Sequence, residues 1–314
     1  MAERGLSLSP GRFFCKHTMI LNSLDEVSSF YDPDSHLRLT FATVTDTARA
    51  LERSHLCGPI AGVIQAEFVG AATLLGTLLD GPGQTISLRV NFPDGQLGGA
   101  TIECASGFLI RGYTRQKVLP QLDDSDAPND ALFDRALGRR ATCGVVRTLP
   151  NAESHLARFD VSYQDHLSVT DIVEEYFCTS LQQRALAQLS ASSRLGYVAC
   201  AHALLCNFQP EASEETYARI ERLFAFGRIQ DAIDSGASVD VLARMMGLGN
   251  LQCEHTQKVR FYCGCSADRV LTMLRTLSPE TRREMIAAGK PTDIYCHMCG
   301  KCYTITPEQL AALD

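Results

Sequence analysis

The sequence predicts an α+β fold: an N-terminal antiparallel-sheet domain with packed helices, a helical linker and a small C-terminal α+β domain. Three observations support this prediction. Short segments that alternate apolar and polar residues end at turn residues, a long apolar segment of helical composition lies among them, and the composition changes twice along the chain. The length of 314 residues fits two domains of ~100–200 residues each.

The first elements of the N-terminal domain are a strand and two helices. Residues 37–45 alternate as in a half-buried strand, and residues 46–55 are typical of a helix. A second helix is predicted at 60–79, in an apolar run that Gln65 and Glu67 interrupt. Because a membrane span needs a more continuous apolar run, we expect this helix to lie in the core of the domain.

The rest of this domain is predicted as strands joined by turns. A helix is expected from Thr170 to Ser180, because Asp171 and Glu174 in its first turns favour the positive end of the helix dipole. The last strand ends at Gln209-Pro210, so we place the domain at residues 1–210. The predicted strands cover residues 85–90, 99–105, 108–113, 142–147, 159–163 and 196–208.

The composition changes after residue 210. Residues 211–251 contain short amphipathic helical segments at 214–226 and 239–246, separated by glycine-containing turns. We interpret this region as a metastable helical linker. Residues 252–314 form a third section that is too small to be stable without additional support.

Charge and cysteine content limit the partners and the compartment. A formal net charge of −7 argues against a large unspecific nucleic-acid surface, which requires clustered Lys and Arg. No apolar signal segment or membrane span is recognised, so we expect no membrane partner. The 13 cysteines are an odd number, which favours reduced thiols and a cytoplasmic protein.

Two cysteine pairs lie in the C-terminal domain, Cys263-Gly264-Cys265 and Cys296-His297-Met298-Cys299. Each pair brings two thiolates to one ion, and two pairs complete the tetrahedral coordination of Zn²⁺. Helices predicted at 266–277 and 278–288 separate the pairs. We therefore predict one zinc ion per chain, bound by Cys263, Cys265, Cys296 and Cys299; the alternative is chance placement of reduced core cysteines.

Other possible ligands are close in sequence to these four: Cys302, His297, Cys253 and His255. Cys302 alternates with Tyr303 and Ile305 as in a strand, so we expect its side chain to point away from the metal. His297 and His255 are expected at the surface, as most histidines outside metal sites are.

Such a site is also sensitive to oxidation. Zinc lowers the pKa of its thiols, and oxidants attack thiolates. Formation of one disulfide removes two ligands at once. Because metal binding in small sites contributes ~10–16 kcal/mol of apparent folding free energy, loss of the metal is expected to unfold the segment.

The motif resembles that of a known family. Cys263-Gly264-Cys265-Ser266 and Cys296-His297-Met298-Cys299-Gly300-Lys301-Cys302-Tyr303 resemble the zinc motif of the heat shock protein 33 family, the redox-regulated 33 kDa chaperonins. Weaker similarity covers Ala71-Ala72-Thr73-Leu74-Leu75, residues 81–90, Arg111-Gly112-Tyr113 and residues 171–177.

The resemblance implies an ATP-independent holdase of the bacterial cytosol that is inactive when reduced and zinc-bound. It implies disulfides Cys263–Cys265 and Cys296–Cys299 on oxidation, release of zinc, loosening of the linker and binding of unfolding client proteins. The resemblance leaves open whether the oxidised protein forms a homodimer. Apolar linker residues are expected to become exposed to clients: Leu223, Phe224, Phe226, Val239, Leu242, Met245 and Met246. The alternative for them is a permanently packed helix face.

The chain departs from the family pattern in two respects. The turn Thr179-Ser180-Leu181-Gln182-Gln183 stands where the family usually has Ser-Glu-Gln, and Cys302 is an additional cysteine beside the motif. Cys302 and eight others offer competing disulfide partners: Cys15, Cys57, Cys104, Cys143, Cys178, Cys200, Cys206 and Cys253.

Two other classes of function remain. Cys200-Ala201-His202 with Cys206 would suit a nucleophile and a base, but no nucleophile-elbow or P-loop pattern accompanies them, so we expect no enzyme. A zinc-ribbon module for protein or nucleic-acid binding is the second alternative. Its basic candidates, Arg282 and Arg283, lie among acidic residues without an aromatic stacking face.

Overall fold

The computed structural model describes residues 24–125, 129–151 and 153–313. Cys15 and the loop residues 126–128 lie outside these ranges. The strands are β1 (Glu26–Asp32), β2 (Leu37–Thr43), β3 (Thr85–Asn91), β4 (Gly99–Ala105), β5 (Leu109–Thr114), β6 (Arg140–Thr148), β7 (Ser154–Ser162), β8 (Arg184–Arg194), β9 (Tyr197–Phe208), β10 (Gln252–Lys258), β11 (Arg260–Phe261), β12 (Thr292–Tyr295) and β13 (Cys302–Ile305).

Helices lie singly or in groups between these strands along the chain. They are α1 (Thr45–His55), α2 (Pro59–Gly76), α3 (Pro120–Asp123), α4 (Asn129–Leu137), α5 (Val169–Glu175), α6 (Glu214–Ala225), α7 (Arg228–Asp234), α8 (Val239–Met245), α9 (Ala267–Leu274), α10 (Pro279–Ala287) and α11 (Pro307–Ala311). A π-helical turn, Tyr176–Ser180, continues α5. The predicted α+β class is confirmed.

Helix α2 lies at the centre of the N-terminal region. Its apolar side chains are buried on all sides, because the helix lies between two large sheets that pack against its opposite sides. The helix is long and apolar enough to cross a membrane, but 89% of the qualifying segment is buried inside the protein. Gly70 allows close contact with the sheet, since a Cβ there would lie 3.1 Å from the Ala203 side chain.

The five-stranded sheet has the order β10-β1-β2-β9-β8, and every pair in it is antiparallel. One face packs on α2. The opposite face is apolar, with Leu39, Cys206 and Leu186 side by side on β2, β9 and β8. Helices α6 to α8 cover this face.

The six-stranded sheet has the order β11-β5-β4-β3-β6-β7. Its inner face contributes Ile86, Leu88 and Ile102 to the core around α2. Polar residues dominate its outer face, which no helix covers within the described chain. The two-residue strand β11 pairs parallel to β5, an exception to the predicted antiparallel pattern.

The sequence did not predict β1, β8, β10, α3, α4, α7 or α11 as separate elements. Strand β8 carries polar residues where it extends beyond its buried half, and α7 is only seven residues long, so neither has a strong periodic signal. The expected single sheet is instead two sheets on either side of α2. Strand β10, at the start of the predicted third section, pairs with β1 at the edge of the five-stranded sheet.

Candidate metal centre

The four predicted cysteines come together in space. Their Sγ atoms all lie within 4.8 Å of one another, and three of the residues are half-buried while Cys299 is buried. Cys263 and Cys265 follow β11, whereas Cys296 and Cys299 lie in the turn between β12 and β13. The hairpin of β12 and β13 therefore brings the second pair to the first.

The donor set fits zinc. Four thiolates at a Zn–S distance of ~2.3 Å in tetrahedral geometry lie ~3.8 Å apart. The Sγ atoms of Cys263 and Cys296 are 3.8 Å apart, and those of Cys265 and Cys299 are 3.4 Å apart. Soft sulfur ligands without carboxylates favour zinc over magnesium or calcium. The cluster could hold one metal ion, and its chemistry favours Zn²⁺.

Tyr303 supports the site from β13. Its hydroxyl donates a hydrogen bond to Cys265 Sγ at 3.0 Å, although the side chain was predicted only as a strand residue. Burial acts to raise the pKa of the Cys265 thiol, but hydrogen bonds from Tyr303 and from neighbouring cysteines outweigh burial and lower this pKa to about 7. The alternation of Cys302, Tyr303 and Ile305 indicated a strand but not this contact.

Cys296 and Cys299 have the opposite tendency. Burial raises the pKa of Cys296 and of Cys299. Protein groups alone thus favour a thiolate at Cys265 and oppose one at these two residues. A divalent cation bound by the four cysteines would supply the charge that makes thiolates favourable at all four.

The N-terminal region also reaches the cysteines. Arg111 of β5 has its Nη1 atom 3.9 Å from Cys263 Sγ, while its Nη2 forms an ion pair with Glu103 at 2.6 Å. This pair holds the guanidinium beside the thiols. The Arg111-Gly112-Tyr113 segment therefore contacts the candidate metal centre, a role that its sequence did not indicate.

The turn that carries Cys296 and Cys299 rests on the N-terminal region through the backbone. We call residues 296–300 the knuckle. Gly112 N donates to Met298 O at 3.1 Å, and the Ser54 hydroxyl donates to Cys299 O. Gly300 has a φ of +70°, and a Cβ there would lie 2.2 Å from Ser54 O. Glycine is therefore required for this close approach.

The additional ligand candidates lie outside the cluster. Cys302 is exposed and pairs with Tyr295 across the β12–β13 hairpin, as expected of a strand residue that points away from the metal. His297 is exposed on the knuckle, and its ring lies 6.0 Å from that of Tyr113. His255 is exposed on β10.

The predicted client-binding residues divide into two groups. Leu242 and Met246 are buried against the five-stranded sheet, and the rest of the first group is half-buried there: Leu223, Phe224 and Val239. Phe226 and Met245 are exposed, with 76% and 36% of their surface accessible. Five of these seven residues therefore belong to a packed helix face in this conformation, and two are exposed.

The enzyme and nucleic-acid candidates occupy ordinary structural settings. Burial raises the pKa of Cys206, whose thiol contacts Met246 sulfur at 3.6 Å, so it is held neutral. The His202 ring stacks on Phe41. In α10, Arg283 pairs with Glu280 of the same helix at 3.2 Å.

Comparisons with known proteins agree with this geometry. The family model described as Hsp33 protein matches residues 25–306. The 33 kDa chaperonin of Deinococcus radiodurans is 26% identical over 88% of this chain and 94% of its own length, and that of Syntrophotalea carbinolica is 28% identical over 89% and 96%.

A solved structure shows the same fold. The 33 kDa chaperonin (heat shock protein 33 homolog) of Thermotoga maritima superposes with a TM-score of 0.79 at 18% sequence identity, covering 92% of this chain and 97% of that one. The family model spans nearly the whole chain, including all four clustered cysteines. This chain belongs to the Hsp33 family of chaperones.

Proposed function

We propose that this protein is a redox-regulated, ATP-independent holdase of the cytoplasm that binds one Zn²⁺ through Cys263, Cys265, Cys296 and Cys299. The reduced, zinc-bound form is inactive. Oxidation of the cysteines to disulfides releases zinc, loosens residues 211–251 and exposes apolar surface to unfolded or partially unfolded proteins. Neither nucleic acid nor a membrane is a partner in this proposal, and a homodimer of the oxidised form is compatible with it.

The observation that carries the proposal is the covered face of the five-stranded sheet. Leu37, Leu39, Leu204 and Phe208 are almost completely buried, and their cover consists of three short helices. Helices of 7 to 12 residues are marginal when isolated, so α6 to α8 depend on this contact. Their detachment would expose a continuous apolar patch of the kind that binds unfolded chains.

The metal centre and this cover are adjacent along the chain. Helix α8 leads through β10 and β11 directly to Cys263. All seven residues of β10 are exposed, and the strand is held at the sheet edge by its pairing with β1. Unfolding of the segment after Cys263 would therefore remove the anchor at one end of a weakly packed strand and of the helices before it.

The redox chemistry needs an oxidant such as hydrogen peroxide. In each cysteine pair, one thiolate attacks peroxide to form a sulfenic acid, and the second thiolate displaces the hydroxyl to form the disulfide. Each pair loses two electrons and each peroxide becomes two waters after uptake of two protons. Zinc, when bound, keeps the thiols deprotonated, and it is lost as its ligands become disulfide sulfurs.

The proposed disulfides are Cys263–Cys265 and Cys296–Cys299, as the family resemblance implies. Across these pairs, the Sγ atoms of Cys263 and Cys296 are 3.8 Å apart, and those of Cys265 and Cys299 are 3.4 Å apart. Such crossed distances are what a common tetrahedral centre produces, so they do not select the pairs formed after zinc leaves. Peptide mapping of the oxidised protein by mass spectrometry identifies the pairs.

The experiment that tests the proposal measures client aggregation and zinc release together. Light scattering of a chemically unfolded client is followed with reduced, zinc-loaded protein and with peroxide-treated protein, while a chromogenic chelator reports free zinc. We expect suppression only after oxidation, with about one zinc released per chain. Cys302→Ser is the matched control, because Cys302 is exposed and outside the cluster. Zinc release without suppression of aggregation would show that the metal is only structural.

A further inference from the structure

A groove of about 540 Å³ lies on the outer face of the six-stranded sheet. One row of directly paired residues crosses it from β5 to β7. Tyr113 pairs with Thr101, Thr101 with Arg89, Arg89 with Gly144 and Gly144 with Arg158. Because paired residues share a face, these side chains all project into or border the groove.

Three arginines line this groove without protein partners: Arg89, Arg115 and Arg158. Within residues 24–125, 129–151 and 153–313, none of them forms an ion pair or a side-chain hydrogen bond. Other arginines of the same sheet are paired: Arg111 with Glu103, Arg140 with Asp94 and Arg147 with Asp80. Three unpaired guanidinium groups around one depression provide donors for an anion.

Gly144 makes room for that anion between two of the arginines. Arg89 and Arg158 are two strands apart, a Cα separation of ~10 Å. A Cβ at Gly144 would meet no atom within 4 Å, so the space above it is open. Two guanidinium groups on either side of this gap can contact one group between them.

The knuckle closes the other end of the groove. His297 and Met298 line it together with the sheet residues, and the His297 ring lies 6.0 Å from that of Tyr113. The groove is therefore complete only while the knuckle is docked on β5. A ligand that fills it contacts both the sheet and the segment that carries Cys296 and Cys299.

We propose that this groove binds a phosphate-chain anion, such as a triphosphate, in the reduced form of the protein. Three arginines line it, and Asp160, two residues after Arg158 on the same face of β7, is the acidic neighbour. Arginine forks match phosphate oxygens bidentately, and a chain of several phosphates spans arginines that a single carboxylate cannot reach together. An extended nucleic acid is disfavoured by the net charge of −7.

Bound anion is also expected to delay zinc release during oxidation. A ligand that binds only the docked knuckle stabilises that state by mass action. This consequence rests on the proposed function, whereas anion binding itself does not.

The test is calorimetric titration of the reduced, zinc-loaded full chain with sodium tripolyphosphate. We expect saturable, salt-sensitive binding that weakens at least 10-fold in Arg158→Gln and in Arg89→Gln. Gly144→Val is expected to abolish binding without changing the charge, because its side chain fills the gap. Arg194→Gln, at the end of β8, is the matched control for loss of an exposed positive charge and is expected to bind as the parent does.

Parallel titrations distinguish the sources of the anion. Equal affinity for tripolyphosphate and ATP supports recognition of the phosphate chain alone, and tighter binding of ATP supports a nucleotide as its carrier. Binding of an oligoglutamate without binding of tripolyphosphate would overturn the proposal in favour of an acidic peptide. An equal loss in Arg194→Gln, or unchanged binding in Gly144→Val, would also overturn it. None of these results depends on whether the oxidised protein suppresses aggregation.

Discussion

The two large sheets share a helical layer but differ in their opposite faces. The five-stranded sheet presents Leu37, Leu39 and Leu204 to helices α6 to α8, whereas the six-stranded sheet presents Arg89, Thr101 and Arg158 to solvent. An apolar face needs a cover, and a polar face does not. The first sheet therefore conceals apolar surface under a detachable cover, whereas the second exposes its charged side chains without such a cover in the described chain.

Loss of the metal is expected to affect the two sheets differently. Cys296→Ser removes one of four ligands, and we expect loss of zinc and unfolding of the C-terminal hairpin, because structural zinc contributes ~10–16 kcal/mol of apparent folding free energy. Hydrogen exchange followed by mass spectrometry should show lost protection in β12, β13 and α6 to α8, with β3, β4 and β6 unchanged.

Cys302→Ser is the control for this variant and is expected to retain zinc. Persistent protection of α6 to α8 in zinc-free Cys296→Ser would mean that the cover is independent of the metal. Helices α6 to α8 would then stabilise the five-stranded sheet without being controlled by the metal.

A second test compares a leucine in the helices that cover the five-stranded sheet with a leucine on the outer face of the six-stranded sheet. Leu242 of α8 is fully buried, whereas Leu156 of β7 is 54% exposed on the outer face of the six-stranded sheet. Leu242→Ala should destabilise the packing of the linker by ~2–5 kcal/mol, and Leu156→Ala should change stability by less than ~0.5 kcal/mol. Fluorescence of a dye that binds apolar surface is expected to rise in reduced Leu242→Ala only. Equal fluorescence in the two variants would contradict the assignment of the covered face.

The docking of the knuckle can be tested with two glycines of similar backbone conformation. Gly300 has φ +70° and Gly289 has φ +61°, so alanine causes ~1–2 kcal/mol of backbone strain at either position. Only at Gly300 does the new Cβ collide with Ser54 O, whereas Gly289 faces open space. We expect zinc release by peroxide to be several-fold faster in Gly300→Ala than in Gly289→Ala, measured with a chromogenic chelator. Equal rates would show that docking does not protect the cysteines.

The sequence predicted the parts of the molecule that depend on local pattern. The paired cysteines predicted a cluster, and the apolar run at 60–79 predicted the central helix, observed at Pro59–Gly76. The second sheet and the contact of Arg111 with Cys263 depend on which strands meet across the fold, and local sequence patterns do not show which strands those are. The partner of Cys265, Tyr303, likewise becomes recognisable only when the hairpin of β12 and β13 is in place.

The smallest predicted effect concerns the hydroxyl of Tyr303. In the folded hairpin, this hydrogen bond stabilises the thiolate of Cys265, and together with hydrogen bonds from the neighbouring cysteines it lowers the pKa of the thiol to about 7. A lowered pKa in the folded state means that the stabilisation is present above this pH and is lost as the pH falls through it. Tyr303→Phe removes the donor, so the pKa is expected to rise.

Zinc release from the reduced, zinc-loaded protein on acidification, followed with a chromogenic chelator, reports protonation of the thiolate ligands. We expect release at a higher pH in Tyr303→Phe than in the parent, because a Cys265 thiol with a raised pKa is protonated earlier as the pH falls. Cys302→Ser, on the same hairpin but outside the cluster, is the control and is expected to release zinc at the same pH as the parent. An unchanged pH of release in Tyr303→Phe would show that the neighbouring cysteines, rather than Tyr303, set the protonation of this thiol.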